Sequence, residues 1–134
     1  MTGLVAIVTV LVLLFYAWTF TNAGRMRGKH KIEAPAMTGH PEFERANRVQ
    51  MNTLEWLVIF LPAMWLCAAY VNGLAAAVLG LCWIGGRFLY MRAYMQDPKT
   101  RSTGFAIQAL ATAAALFAGL IGAIVSLFTG GGAS

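Results

Sequence analysis

Charge is scarce in this chain. Only 11% of its 134 residues are Asp, Glu, Lys or Arg, against about 25% in an ordinary soluble domain. With 59% hydrophobic residues and a mean hydropathy of +0.66, that deficit argues against a water-facing globule and for lipid as the solvent. Cysteine is nearly absent too. Cys67 and Cys82 lie in apolar runs with no CxxC or Cys/His spacing, which argues against a disulfide framework or a metal site. Both read as small buried hydrophobes. His30 and His40 stand isolated in a polar stretch and read as solvated side chains, so no metal is expected. Internal repeats and nucleic-acid motifs are lacking. The length allows about four spans of about 20 residues in one domain, 1–134, and no large soluble catalytic domain beside them.

The net charge of +5 would suit a nucleic-acid partner, but its placement excludes that reading. Lys and Arg are missing from both termini and from the Asn72-Gly73 turn. They fall in two blocks, Arg25 to Arg48 and Arg87 to Arg101. Basic residues concentrate on the cytoplasmic side of membrane proteins. Both blocks are therefore expected inside, with both termini on the non-cytoplasmic side.

Leu4 to Phe20 is apolar apart from two threonines, with no positive residue before it and a basic cluster directly after. That order favours a spanning helix over a signal peptide. The expected spans are about 3–24, 44–71, 74–96 and 103–128, with cytoplasmic loops at about 25–43 and 97–102. The glycines and prolines of 24–41 are expected to break the first helix, with Arg25 and Arg27 extending its end. Glu42 and Glu44 suit the positive end of the second helix, Pro62 is expected to kink it, and Gln96-Asp97-Pro98 closes the third. The glycine-rich tail GGGAS is expected to fray. The fold class is an all-α, four-transmembrane-helix bundle.

Two polar stretches interrupt this apolar plan. In FERANRVQMNTLEW, Arg48, Asn52 and Glu55 stand at i, i+4 and i+7 and share a helical face, with Gln50 to one side. In GRFLYMRAYMQDPKTRSTGF, Arg87, Tyr90 and Tyr94 stand at i, i+3 and i+7, again on one face. A hairpin of the second and third helices brings the two stripes to one membrane depth. A carboxylate at the mouth of a hydrophobic helix needs a partner or a function. From spacing alone, Arg48, Glu55 and Arg87 fit a structural ion network as well as a binding site, and the tyrosines fit interfacial anchors. Arg92 and Lys99 read as topology and headgroup charges, and Trp18, Trp65 and Trp83 as packing or belt residues.

The two motifs, in this order and spacing, resemble the membrane-associated proteins in eicosanoid and glutathione metabolism, the MAPEG family. The phrase MTGHPEFERANRVQMN is especially similar to its microsomal glutathione transferase and leukotriene-forming branch. The resemblance covers about residues 24–105. It implies a homotrimer binding glutathione between adjacent subunits at the cytoplasmic side. Arg48, Asn52 and Glu55 would hold the tripeptide, supported by Gln50. Tyr90 and Tyr94 would contact it from the neighbouring subunit, and Arg27 would reach in from the first helix. Arg87 would brace Glu55, and Arg101 would stabilise the thiolate. Trp56 stands where that branch often has tyrosine, which removes one hydroxyl contact.

The chemistry suits these side chains. Arginine binds carboxylates bidentately, and a carboxylate binds an amino group. A thiol with a pKa of about 8.5 is only a few per cent ionised at neutral pH; lowering it by about two units takes roughly 2.7 kcal/mol of preferential stabilisation. Arginine stays protonated, so Arg101 is expected to act electrostatically, with the thiolate attacking a lipophilic electrophile or hydroperoxide from the bilayer. A glutathione S-transferase, with or without peroxidase activity, leads. A non-catalytic lipid-presenting scaffold and a small proton-coupled exporter are the alternatives. The host membrane would be a bacterial inner membrane or the endoplasmic reticulum.

Overall fold

In a computed structural model describing residues 2–130, four helices cover nearly the whole chain: α1 (Thr2–Lys29), α2 (Pro41–Tyr70), α3 (Gly73–Gln96) and α4 (Ser102–Thr129). Each is long and apolar enough to cross a membrane. The expected all-α, four-span plan is therefore present, and α2 continues through Pro62. Residues 131–134 of the tail lie outside the described residues, so its expected fraying is untested there.

The helix ends follow local chemistry. His40 stands at the N-cap of α2, where its Nδ1 accepts from the Glu42 amide at 3.1 Å, and Pro41 occupies the first turn, where a missing N–H costs nothing. Asn72 caps α3 by accepting from the Ala75 amide at 3.0 Å. Asp97 closes α3 and opens a 3-10 turn, Pro98–Thr100, by accepting from the Lys99 amide at 3.0 Å.

Three expectations need correction. Gly24 and Gly28 do not break α1, which runs on to Lys29. Arg27 and Lys29 in its last turn suit the negative end of the helix dipole, and Arg25 donates back to Asn22 at 2.9 Å. The two histidines are not isolated. Their rings stack at 3.5 Å, and His30 Nε2 donates to Glu42 Oε1 at 2.8 Å, joined there by Lys29 at 3.0 Å. Cys67 is buried as expected, but Cys82 is exposed on the outer face of α3.

The main core gathers Val5, Val8 and Val12 of α1, Phe60 and Met64 of α2, Trp83 of α3 and Ala115 of α4. Phe60 and Trp83 stack with centroids 4.9 Å apart. α3 and α4 approach backbone to backbone. A Cβ placed on Gly86 would stand 2.7 Å from the Gln108 amide nitrogen, and one on Gly104 would collide with the Tyr90 amide. Small residues permit such crossings in lipid, where close dispersion contact replaces the missing hydrophobic drive. This crossing sets the start of α4 against the last two turns of α3.

Candidate functional site

The polar stripes of α2 and α3 meet at the end of the bundle that carries the basic residues. Arg45 fixes their relation. Its Nη1 donates to the carbonyls of Met95 and Gln96 at 3.2 and 3.3 Å, supplying partners for the free C-terminal carbonyls of α3.

Arg87 is the central polar node. It is completely buried. Its guanidinium donates to Asn52 Oδ1 at 2.8 Å and to Thr53 Oγ1 at 2.7 Å. The ring of Tyr90 lies over it, centroid 4.3 Å from Cζ, a cation–π geometry. Tyr90 in turn stacks on Tyr94 at 5.6 Å. One buried cation thereby orients an amide and, through the ring stack, two phenols. Among the described residues Arg87 has no carboxylate partner. The expected brace to Glu55 is absent, because Arg87 meets α2 at Asn52 and Thr53 while Glu55 points outward and is exposed.

The chain from Asp97 to Phe105 closes the site. Thr100 Oγ1 donates to the Asp97 carbonyl at 2.8 Å, and Arg101 Nη1 to the Pro98 carbonyl at 2.6 Å. These bonds tie the 3-10 turn and hold Arg101 at the start of α4. No side chain caps α4 there, so the positive end of its dipole opens beside Arg101.

The result is a cavity of about 530 Å³, in the range of small-molecule sites. Arg48 and Asn52 reach it from α2, and Tyr90 and Tyr94 from α3. Arg101 and Ser102 reach it from the start of α4, with Lys99 from the turn and Phe105 one turn further on. Three cations and no acid line it. Phe105 forms its apolar end and meets Trp56 edge-on at 5.5 Å.

Five of the nine predicted residues therefore converge: Arg48, Asn52, Tyr90, Tyr94 and Arg101. Arg87 lies behind the wall and orients it. Glu55 is one turn along α2 from Asn52, outside the lining. Gln50 is also outside it. Arg27 is held elsewhere, donating to the Ala36 carbonyl at 2.8 Å and lying over the Phe43 ring at 4.6 Å. The tyrosines reach the cavity from the same chain as Arg48 and Asn52. The glycine crossing and the α2–α3 hairpin make delivery by a neighbouring subunit unnecessary for that contact. Lys99, Ser102 and Phe105 were missed by sequence reasoning. Lys99 stands two residues before Arg101 in a Pro-initiated turn, a signal hidden by its resemblance to a topology charge.

A family model, described as MAPEG family, matches residues 5–121. An uncharacterized protein of Synechocystis is 44% identical over 80% of this chain and 78% of its own length. Human microsomal glutathione S-transferase 2 is 40% identical over 76% of this chain and 69% of its own. Guinea-pig leukotriene C4 synthase is 35% identical over 74% of this chain and 66% of its own. Helix plan, basic cavity and sequence likeness agree: the chain is a multi-pass integral membrane protein and belongs to the MAPEG family.

Proposed function

We propose that the protein is a membrane-bound glutathione S-transferase that holds glutathione in the cationic cavity and uses it as a thiolate against lipophilic electrophiles. The observation that carries this reading is the convergence of Arg48 and Arg101 on one cavity with two tyrosines and no acid. Glutathione presents two carboxylates and, when ionised, a sulfur anion. Arg48 would take a carboxylate. Arg101, at the uncapped start of α4, would hold the sulfur in its ionised, nucleophilic form. Asn52 and the tyrosines, aimed by Arg87, would fix the peptide between them. Glu55 would receive the amino group, one turn along α2 from Asn52.

Arg27 and Gln50 lie apart from the cavity in a single chain; in a homotrimer a neighbouring copy would bring them to it. The basic end of the bundle would face the cytoplasm, in a bacterial inner membrane or the endoplasmic reticulum. The electrophile would enter from the bilayer past Phe105 and Trp56. A hydroperoxide could meet the same thiolate, giving peroxidase activity. A lipid-presenting scaffold has no need for a cation at a sulfur position.

The test is calorimetric titration of glutathione into detergent-solubilised protein, followed by thiolate absorbance of the bound peptide. Wild type is expected to bind and ionise it near neutral pH. Arg101→Ala is expected to bind it but lose about 25-fold in conjugation rate at pH 7, because moving the thiol pKa from about 6.5 to about 8.5 takes the thiolate from about three quarters to about 3%. Full conjugation by Arg101→Ala sinks the assignment.

A further inference from the structure

Lys99 was expected to serve topology alone, yet it lines the cavity. Its ammonium has no acid partner: among the described residues, the only ion pairs are those of Glu42 with Lys29 and His30. The nearby Asp97 carboxylate is engaged by the backbone, capping the 3-10 turn through the Lys99 amide. The backbone at Lys99 is thus fixed while its side chain is left free.

The cavity holds three cations, Arg48, Lys99 and Arg101. Ionised glutathione has three anionic centres, so the three cations that one chain brings to the cavity can each meet one, with Arg27 from a neighbouring copy outside that count. Direction follows from the amino group. It sits at the γ-glutamyl end, and the acid nearest the lining along α2 is Glu55, on the stripe of Arg48 and Asn52. The γ-glutamyl end then lies along α2, with Arg48 on its carboxylate. The sulfur falls at Arg101. The remaining carboxylate, on glycine, falls at the turn that follows α3. We infer that Lys99 binds the glycyl carboxylate of glutathione and so makes the site select a complete tripeptide over γ-glutamylcysteine. This rests on the reading of the cavity as a glutathione site.

The experiment is calorimetry on solubilised wild type, Lys99→Gln and Lys99→Arg, with glutathione, γ-glutamylcysteine and glutathione esterified at glycine as titrants. Lys99→Gln is expected to weaken glutathione about 10-fold, the loss of one charge-assisted contact. It is expected to leave γ-glutamylcysteine and the ester within about twofold of wild type: the ester has no free glycyl carboxylate, and γ-glutamylcysteine carries its terminal carboxylate on cysteine, one residue short of Lys99. Lys99→Arg is expected to restore glutathione affinity, since either cation satisfies a carboxylate. The thiolate titration of bound glutathione is expected to stay where wild type has it.

Three results overturn the assignment. Unchanged glutathione affinity in Lys99→Gln removes the contact. Equal weakening of all three titrants makes Lys99 a general source of positive potential. A thiolate titration displaced as far as in Arg101→Ala moves Lys99 to the sulfur. A wild type that binds none of the three fails the glutathione reading itself, a distinguishable result that takes the Lys99 contact with it.

Discussion

Arg87 and Asn52 are joined across the α2–α3 interface by a 2.8 Å hydrogen bond, and only one of them touches the cavity. The buried guanidinium works from behind, presenting Asn52 through that bond and Tyr90 through its ring face. Replacing Arg87 by methionine leaves Asn52 and Thr53 without their donor. The expected cost is about 1–3 kcal/mol, the usual penalty for stranding a buried polar group. Thermal unfolding in detergent reads that loss. Glutathione affinity is expected to fall with it by about 10-fold, as Asn52 and the tyrosine pair lose their aim.

The proposed role of Arg101 has a pH signature. If its charge holds the bound thiol below the ordinary value of about 8.5, thiolate is the major form at neutral pH in wild type. Removing the charge raises the thiol pKa back toward that value. Activity of Arg101→Ala is therefore expected to be low at pH 7 and to recover as pH rises toward 9, with the limb of the rate profile displaced upward by about two units. A profile that keeps its wild-type midpoint contradicts this.

Gly104 has no room for a methyl group, because the Tyr90 amide and the Gly86 carbonyl occupy that space. Gly104→Ala forces backbone, not a flexible side chain, to give way. Overpacking of this kind costs about 1–3 kcal/mol. Gly85 is the control: nothing lies within 4 Å of a Cβ there. Gly85→Ala is expected to leave both melting temperature and glutathione binding near wild type, and Gly104→Ala to lower both.

Phe105 forms the apolar end of the cavity and carries Trp56 on its edge. Phe105 is 37% exposed, so truncating it to alanine removes only part of the about 1.5–3 kcal/mol that a fully buried side chain contributes. The expected result is a KM for a lipophilic electrophile raised by about 10-fold, with glutathione affinity held within about twofold. Steady-state kinetics varying each substrate in turn separates the two.

Much of this is legible in the sequence. Four apolar runs gave four helices, and the i, i+4, i+7 stripe placed Arg48 and Asn52 on the cavity face. The failures have physical causes. Helix periodicity ranks residues by face but does not say how far a stripe wraps past a neighbour, so it does not reveal that Glu55 sits a turn beyond the lining. The brace from Arg87 to Glu55 that the resemblance implies is not formed, because the buried guanidinium is satisfied by an amide and a hydroxyl. Loop residues have no periodicity, so Lys99 could not be told from a headgroup charge. The glycines of α1 do not act as breakers, because Arg27 and Lys29 in its last turn suit the helix dipole.

The contact of Gly104 with Tyr90 is made by main chain on both sides. The gap between the α3 phenols and the start of α4 is thus dimensioned by atoms that every amino acid shares. Residues such as Trp56 and Phe105 hang on that frame as exchangeable fittings. Under the proposed transferase reading, new electrophiles would be accommodated by changing them, and the sulfur's position would not need rebuilding each time.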